Sequence, residues 1–134
     1  MRDILLHMQI ILSAIGSVLG WFLGGDDGFL YVLIAFVIID YLSGVINAII
    51  SKALSSEIGF KGICKKVIIF ILVGVAHLID LFILQEGTAI RTAVIFFYLA
   101  NEGISILENS AKIGLPIPKK LKKILAQINK RSGE

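Results

Sequence analysis

The stretch FLYVLIAFVIIDYLSGVINAII, Phe29–Ile50, runs for 22 residues with one charge, Asp40. A hydrocarbon layer about 30 Å thick is crossed by roughly 20 helical residues rising 1.5 Å each. Inside lipid, every backbone N–H and C=O must be paired within the segment, so the stretch reads as a membrane-spanning helix. Three more apolar blocks flank it. Ile4–Leu23 has no ionisable side chain except His7, and Val67–Leu84 has only His77 and Asp80. Ala89–Leu107 is the weakest block, with Arg91 near its start and Asn101 and Glu102 interrupting it.

These blocks predict an all-α membrane protein. Four transmembrane helices occupy residues 1–110, and a cytoplasmic basic amphipathic tail, with a helix after Pro118, occupies residues 111–134. Composition agrees: of 134 residues, 57% are hydrophobic and 17% charged, against roughly a quarter charged in soluble domains. A disordered chain would be far more polar. A disulfide scaffold needs paired cysteines, and Cys64 is alone. The length argues against a two-domain enzyme. The first block is read as a retained span. Arg2 is offset by Asp3, the apolar run exceeds a signal-peptide core, and no small-x-small cleavage site follows.

Charge sorts the connections. The turn Gly24–Gly28 carries Asp26 and Asp27, and Gln85–Thr88 carries Glu86. The middle segment Ser51–Lys66 carries Lys52, Lys61, Lys65 and Lys66 against Glu57. The tail carries Lys112, Lys119, Lys120, Lys122, Lys123, Lys130 and Arg131. With four spans, twelve of the thirteen Lys and Arg residues share one side, Arg91 being the exception. The positive-inside rule places that side, with both termini, in the cytoplasm. Lys61, Lys65 and Lys66 are read with the tail bases as groups at the membrane surface.

Gly16, Gly20 and Gly24 recur every fourth residue, and Gly44 lies in the second block. Small residues at this spacing let helices approach closely. Either the glycines form a packing face, toward this chain or another copy, or glycine is simply common in membrane helices. The intramembrane polar residues Asp40, His77, Asp80, Asn101 and Glu102 are costly in lipid and normally face a partner or a cavity. His77 and Asp80, three apart, share a helix face and can pair. The acids of spans two, three and four imply a shared polar interior, or interhelical hydrogen bonds that set packing. No metal cluster, nucleophile motif or phosphate loop is present, so no cofactor and no catalytic residue is expected. After Pro116 and Pro118, Leu121, Ile124, Leu125 and Ile128 recur on one helical face among lysines. That pattern fits a membrane surface. Nucleic acid is disfavoured because the tail has no aromatic residue to stack on bases.

Five runs now stand together: DYLSG (Asp40–Gly44), SSEIGFKGICKK (Ser55–Lys66), HLID (His77–Asp80), NEGISILEN (Asn101–Asn109) and GLPIPKK (Gly114–Lys120). In order and spacing, over roughly residues 30–128, the chain resembles the phage lysis and toxin-secretion holin family. The resemblance implies homo-oligomers that permeabilise the bacterial inner membrane. They thereby release an endolysin or a large toxin without necessarily touching it. It implies no catalytic residue. The family pattern is met at Asp40, Lys61, Gly62, Lys65, Asp80, Asn101 and Glu102. Rival readings are a small proton-coupled exporter, although the first span lacks the acid such subunits use, and a membrane scaffold that recruits a partner by its basic tail.

Overall fold

The computed structural model describes residues 1–25 and 27–132, without the side chains of Leu125 and residues 128–132. Asp26 therefore lies outside the described residues, as do the side chains of Ile128, Lys130 and Arg131. The chain forms α1 (Arg2–Phe22), α2 (Gly28–Ile50), α3 (Ser56–Leu78), a π-helical segment (Ile79–Leu84), α4 (Ala89–Ile113) and α5 (Lys119–Ser132). Four helical runs, of 21, 23, 29 and 25 residues, are long and apolar enough to cross a membrane, the third being α3 with its π-helical continuation. The all-α, four-span reading holds, and the short α5 follows it.

Local chemistry sets the helix ends. Asp27 starts α2 by accepting the Leu30 amide at 2.8 Å, as an N-cap carboxylate does. Ser55 caps α3 in the same way through the Ile58 amide. The helix therefore begins eleven residues before the apolar block Val67–Leu84, and Lys61, Lys65 and Lys66 sit on helix rather than in a loop. Gly114, at φ +103°, ends α4. The Leu115 amide reaches back to the Ser110 carbonyl and the Gly114 amide to that of Ala111, the hydrogen-bonded stop that glycine favours.

α4 packs most extensively on α2, and α3 lies against α4. Leu30, Leu33 and Val37 of α2 meet Ile69 and Val73 of α3 and Ile95 of α4 in one apolar core. Outside it the usual order of a soluble protein is reversed. Leucines and isoleucines of every span are exposed, while Asp40, Asp80, Arg91 and Glu102 are buried. Surface of this kind belongs in lipid, and polar groups within the layer turn to one another. α1 stands apart, with no buried residue. It meets α3 chiefly where Phe22 lies over Gly74, a place with no room for a side chain.

Candidate functional site: two buried charge clusters

The first cluster joins three spans. Lys66 of α3 donates to Asp40 of α2 at 2.6 Å and to Glu102 of α4 at 2.7 Å. Asn109 of α4 completes the Asp40 shell. Its Nδ2 lies 3.1 Å from Asp40 Oδ1, 3.3 Å from the Asp40 carbonyl and 3.0 Å from Ser43 Oγ. Asp40 lies ten residues before the end of α2, Lys66 ten after the start of α3, and Glu102 eleven before the end of α4. At 1.5 Å per residue, all three sit about 15 Å in from the helix ends on the basic side. The reading of Lys66 as a membrane-surface base is thus corrected. Lys65 is exposed, but one residue further turns the helix by about 100° and carries Lys66 into the bundle.

A furrow of 410 Å³ leads to this cluster between α2 and α3. Gly44, Gly59 and Gly62 leave it open, and Tyr41 and Lys65 line it. Gly44 lines the furrow, where an added Cβ would lie 3.6 Å from Asn109 Nδ2 of α4.

The second cluster closes the opposite end. Arg91, 2% exposed, donates to the Leu23 carbonyl at 2.7 Å, the Gly25 carbonyl at 3.2 Å and Asp27 Oδ2 at 2.5 Å. Asp80, also 2% exposed, accepts the Ile90 amide at 3.0 Å and the Arg91 amide at 2.8 Å. It thereby caps α4 from a different helix and compensates the positive helix end. The Arg91 hydrogen bond, first of all, holds the Asp27 carboxyl below its ordinary value of 3.8. Replacing Asp80 with Ala should cost about 2 kcal/mol, the upper range for a lost cap, because two buried amides lose their acceptor. Hydrogen exchange at the start of α4 checks this; unchanged protection of Ile90 and Arg91 would refute it.

Two further expectations are corrected here. His77 and Asp80 do not pair. The π-helical segment widens the turn at Asp80, which is already engaged at α4, and His77 instead meets the Trp21 ring edge-on at 6.5 Å. Gly24 is not a helix-packing glycine. It lies past the end of α1 at φ +90°, where an added Cβ would meet Arg91 and His77. Gly16 and Gly20 face open space within the chain. Asn101 is half-buried and joins neither cluster among the described residues. The acids of the spans are thus divided, two at one end and one at the other. Among the described residues no group of three or more His, Cys, Asp or Glu is placed to hold a metal ion.

Sequence reading missed Arg91, Asp27 and Asn109 as cluster members. For Arg91 a signal existed: it is the one base on the acidic side of the charge pattern, where an ion needs a partner. Asn109 gave none, since it looks like any polar residue near a helix end.

Charges turned inward and apolar residues turned outward over four spanning helices define a multi-pass membrane protein. More particularly, the chain belongs to the bacteriophage holin family, which its residues 17–130 match. It is 39% identical over 97 residues to a protein of Bacillus phage phi105 named "Probable holin", covering 72% of this chain and 71% of that one. It is 44% identical to an uncharacterized protein of Listeria monocytogenes, over 95% of this chain and 93% of the relative. It is 42% identical to an uncharacterized 14.9 kDa protein of the nagH 3′ region of Clostridium perfringens, over 98% and 99%. No solved structure matches it.

Proposed function

We propose that the chain is a holin: it accumulates in the bacterial cytoplasmic membrane, assembles with copies of itself and permeabilises the bilayer, freeing an endolysin or a toxin. The observation that carries this reading is α1, a full span with no buried residue in a chain of the holin family. Gly16 and Gly20, with Ser13 and Ser17, edge an open furrow of 690 Å³ between α1 and α3. A helix of a second copy fits such a face, because small residues admit a close backbone. The membrane region is residues 1–110 and the cytoplasmic tail 111–134, both termini lying on the basic side. Lys61 and Lys65 on α3, and Lys119, Lys120, Lys122 and Lys123 on α5, hold that side to the anionic leaflet, each worth about 1 kcal/mol near the surface. In the resting state the intramembrane acids are paired. In the assembled state those of spans two to four come to line a hydrated lesion.

Induction in a bacterium should collapse the membrane potential after a delay, and co-expressed endolysin should then lyse the culture. Normal potential and growth at high membrane expression would sink the lysis reading. Replacing Gly16 and Gly20 with Leu should leave insertion intact, since no atom of the chain lies within 4 Å of either added Cβ. It should nevertheless delay or abolish triggering. Unchanged timing would remove α1 from the assembly.

A further inference from the structure

We infer that the furrow between α2 and α3 is a hydrated vestibule open to the basic side, and that the Asp40–Lys66–Glu102 cluster at its inner end binds one proton that latches three spans together. This goes beyond the lysis reading and requires only that the helices span a membrane.

Charge balance is the first ground. The cluster sets two carboxylates against one ammonium. An uncompensated charge in a low-dielectric interior is costly by several kcal/mol, and one proton removes it. Hydrogen bonding decides which acid takes the proton. Asp40 has donors at both oxygens, Lys66 on Oδ2 and Asn109 on Oδ1, and so remains ionised. Glu102 receives Lys66 on Oε2, and among the described hydrogen bonds it receives no other donor. The other groups facing it are Tyr41 from α2, Lys65 at the rim on α3, and the neutral Ser105 and Asn109 of its own helix. Arg91 and Asp80 belong to the far cluster, Arg91 being eleven residues and about 16 Å away along α4.

Access is the second ground. The furrow of 410 Å³ has room for roughly a dozen waters at about 30 Å³ each. Its wall includes Ala53, Leu54 and Ser55 of the α2–α3 connection, so it opens toward the basic face. On the other side of the cluster lies the apolar core of Leu30, Leu33, Val37, Ile69, Val73 and Ile95, which offers no polar side chain to relay a proton. Protons therefore reach Glu102 through the vestibule. The Glu102 carboxylate takes a proton from vestibule water, forming one O–H bond, and returns it to that water on release. With the proton bound the cluster is neutral and α2, α3 and α4 stay fastened. When it leaves, a net charge of −1 remains, water is drawn in and α2 and α3 loosen around the furrow.

The test places a reporter thiol at Gly62 in a Cys64→Ser background, in proteoliposomes. A Cβ at Gly62 meets only the Tyr41 ring, at 3.6 Å and 3.9 Å, so Gly62→Cys fits. Labelling by a membrane-impermeant thiosulfonate is followed as pH rises. Each rate is divided by that of the same reporter carrying Glu102→Gln, which cancels the thiol's own titration. The ratio should climb about tenfold, the change in charge-state balance that one pH unit brings. Asp40→Asn, which also leaves one acid against one base, should flatten it. A ratio constant with pH overturns the latch, as does a climb that survives Asp40→Asn. A thiol that stays unlabelled from the basic side at every pH overturns the vestibule.

Discussion

Lys66→Met should cost about 3–5 kcal/mol of stability, the range for removing one partner of a buried ion pair. The methionine fills a similar volume, so the loss is electrostatic. Asp40 and Glu102 lose the ammonium that lies 2.6 Å and 2.7 Å from them, and the ionised Asp40 is left without its counter-ion inside the bundle. Asn109→Ala removes only a neutral donor to the ionised Asp40, a bond worth about 1.5–3 kcal/mol, and should cost less. The triple variant Asp40→Asn, Lys66→Met, Glu102→Gln should recover most of the loss, because replacing a whole buried ionic group is close to neutral. Unfolding in mixed micelles measures all three. If Lys66→Met and Asn109→Ala cost the same, the ammonium is not the clamp.

Arg91→Leu is the second large effect, about 2–3 kcal/mol, since it leaves the Leu23 and Gly25 carbonyls of the turn without their donor. It also acts on one place. The Arg91 bonds to Leu23, Gly25 and Asp27 tie the α1–α2 turn to the bundle. Exchange protection should fall at residues 23–30 while the core around Ile95 keeps its order. Arg91→Lys should not restore it, because a single ammonium cannot fork to three acceptors. Asp27→Asn should be mild: the Asp27 side chain is 41% exposed, and exposed pairs are worth about 0–1 kcal/mol. Asp27 has its carboxyl lowered in the folded state. Its contribution is therefore full above the ordinary value of 3.8 and is lost as pH falls through the lowered one. Arg91→Leu should shrink that acid-side dependence, leaving only the part due to the Leu30 amide. An unchanged slope would assign it to another group.

The two lysines at 65 and 66 mark where sequence reading stops. Adjacent in a basic run, they look alike. Which one is exposed and which one meets Asp40 depends on how α3 is rotated against α2 and α4. Arg91 shows the same limit from the other direction. Its isolation among acids was visible, but its acceptors are mostly backbone carbonyls, which every residue has. His77 and Asp80 had helical spacing in their favour, and a local π-helical turn defeated it.

By itself the sequence determined the number of spans, their order and the side that carries the bases. Those follow from the apolar length each block must bury and from charges counted along the chain, both local and additive quantities. The tertiary structure decided how the charges are shared: Lys66 with Asp40 and Glu102 at one end, Arg91 with Asp27 and the turn carbonyls at the other. In a layer without water each buried charge must find a partner in another segment. Its choice depends on the rotation and depth of several helices at once, which no single segment encodes.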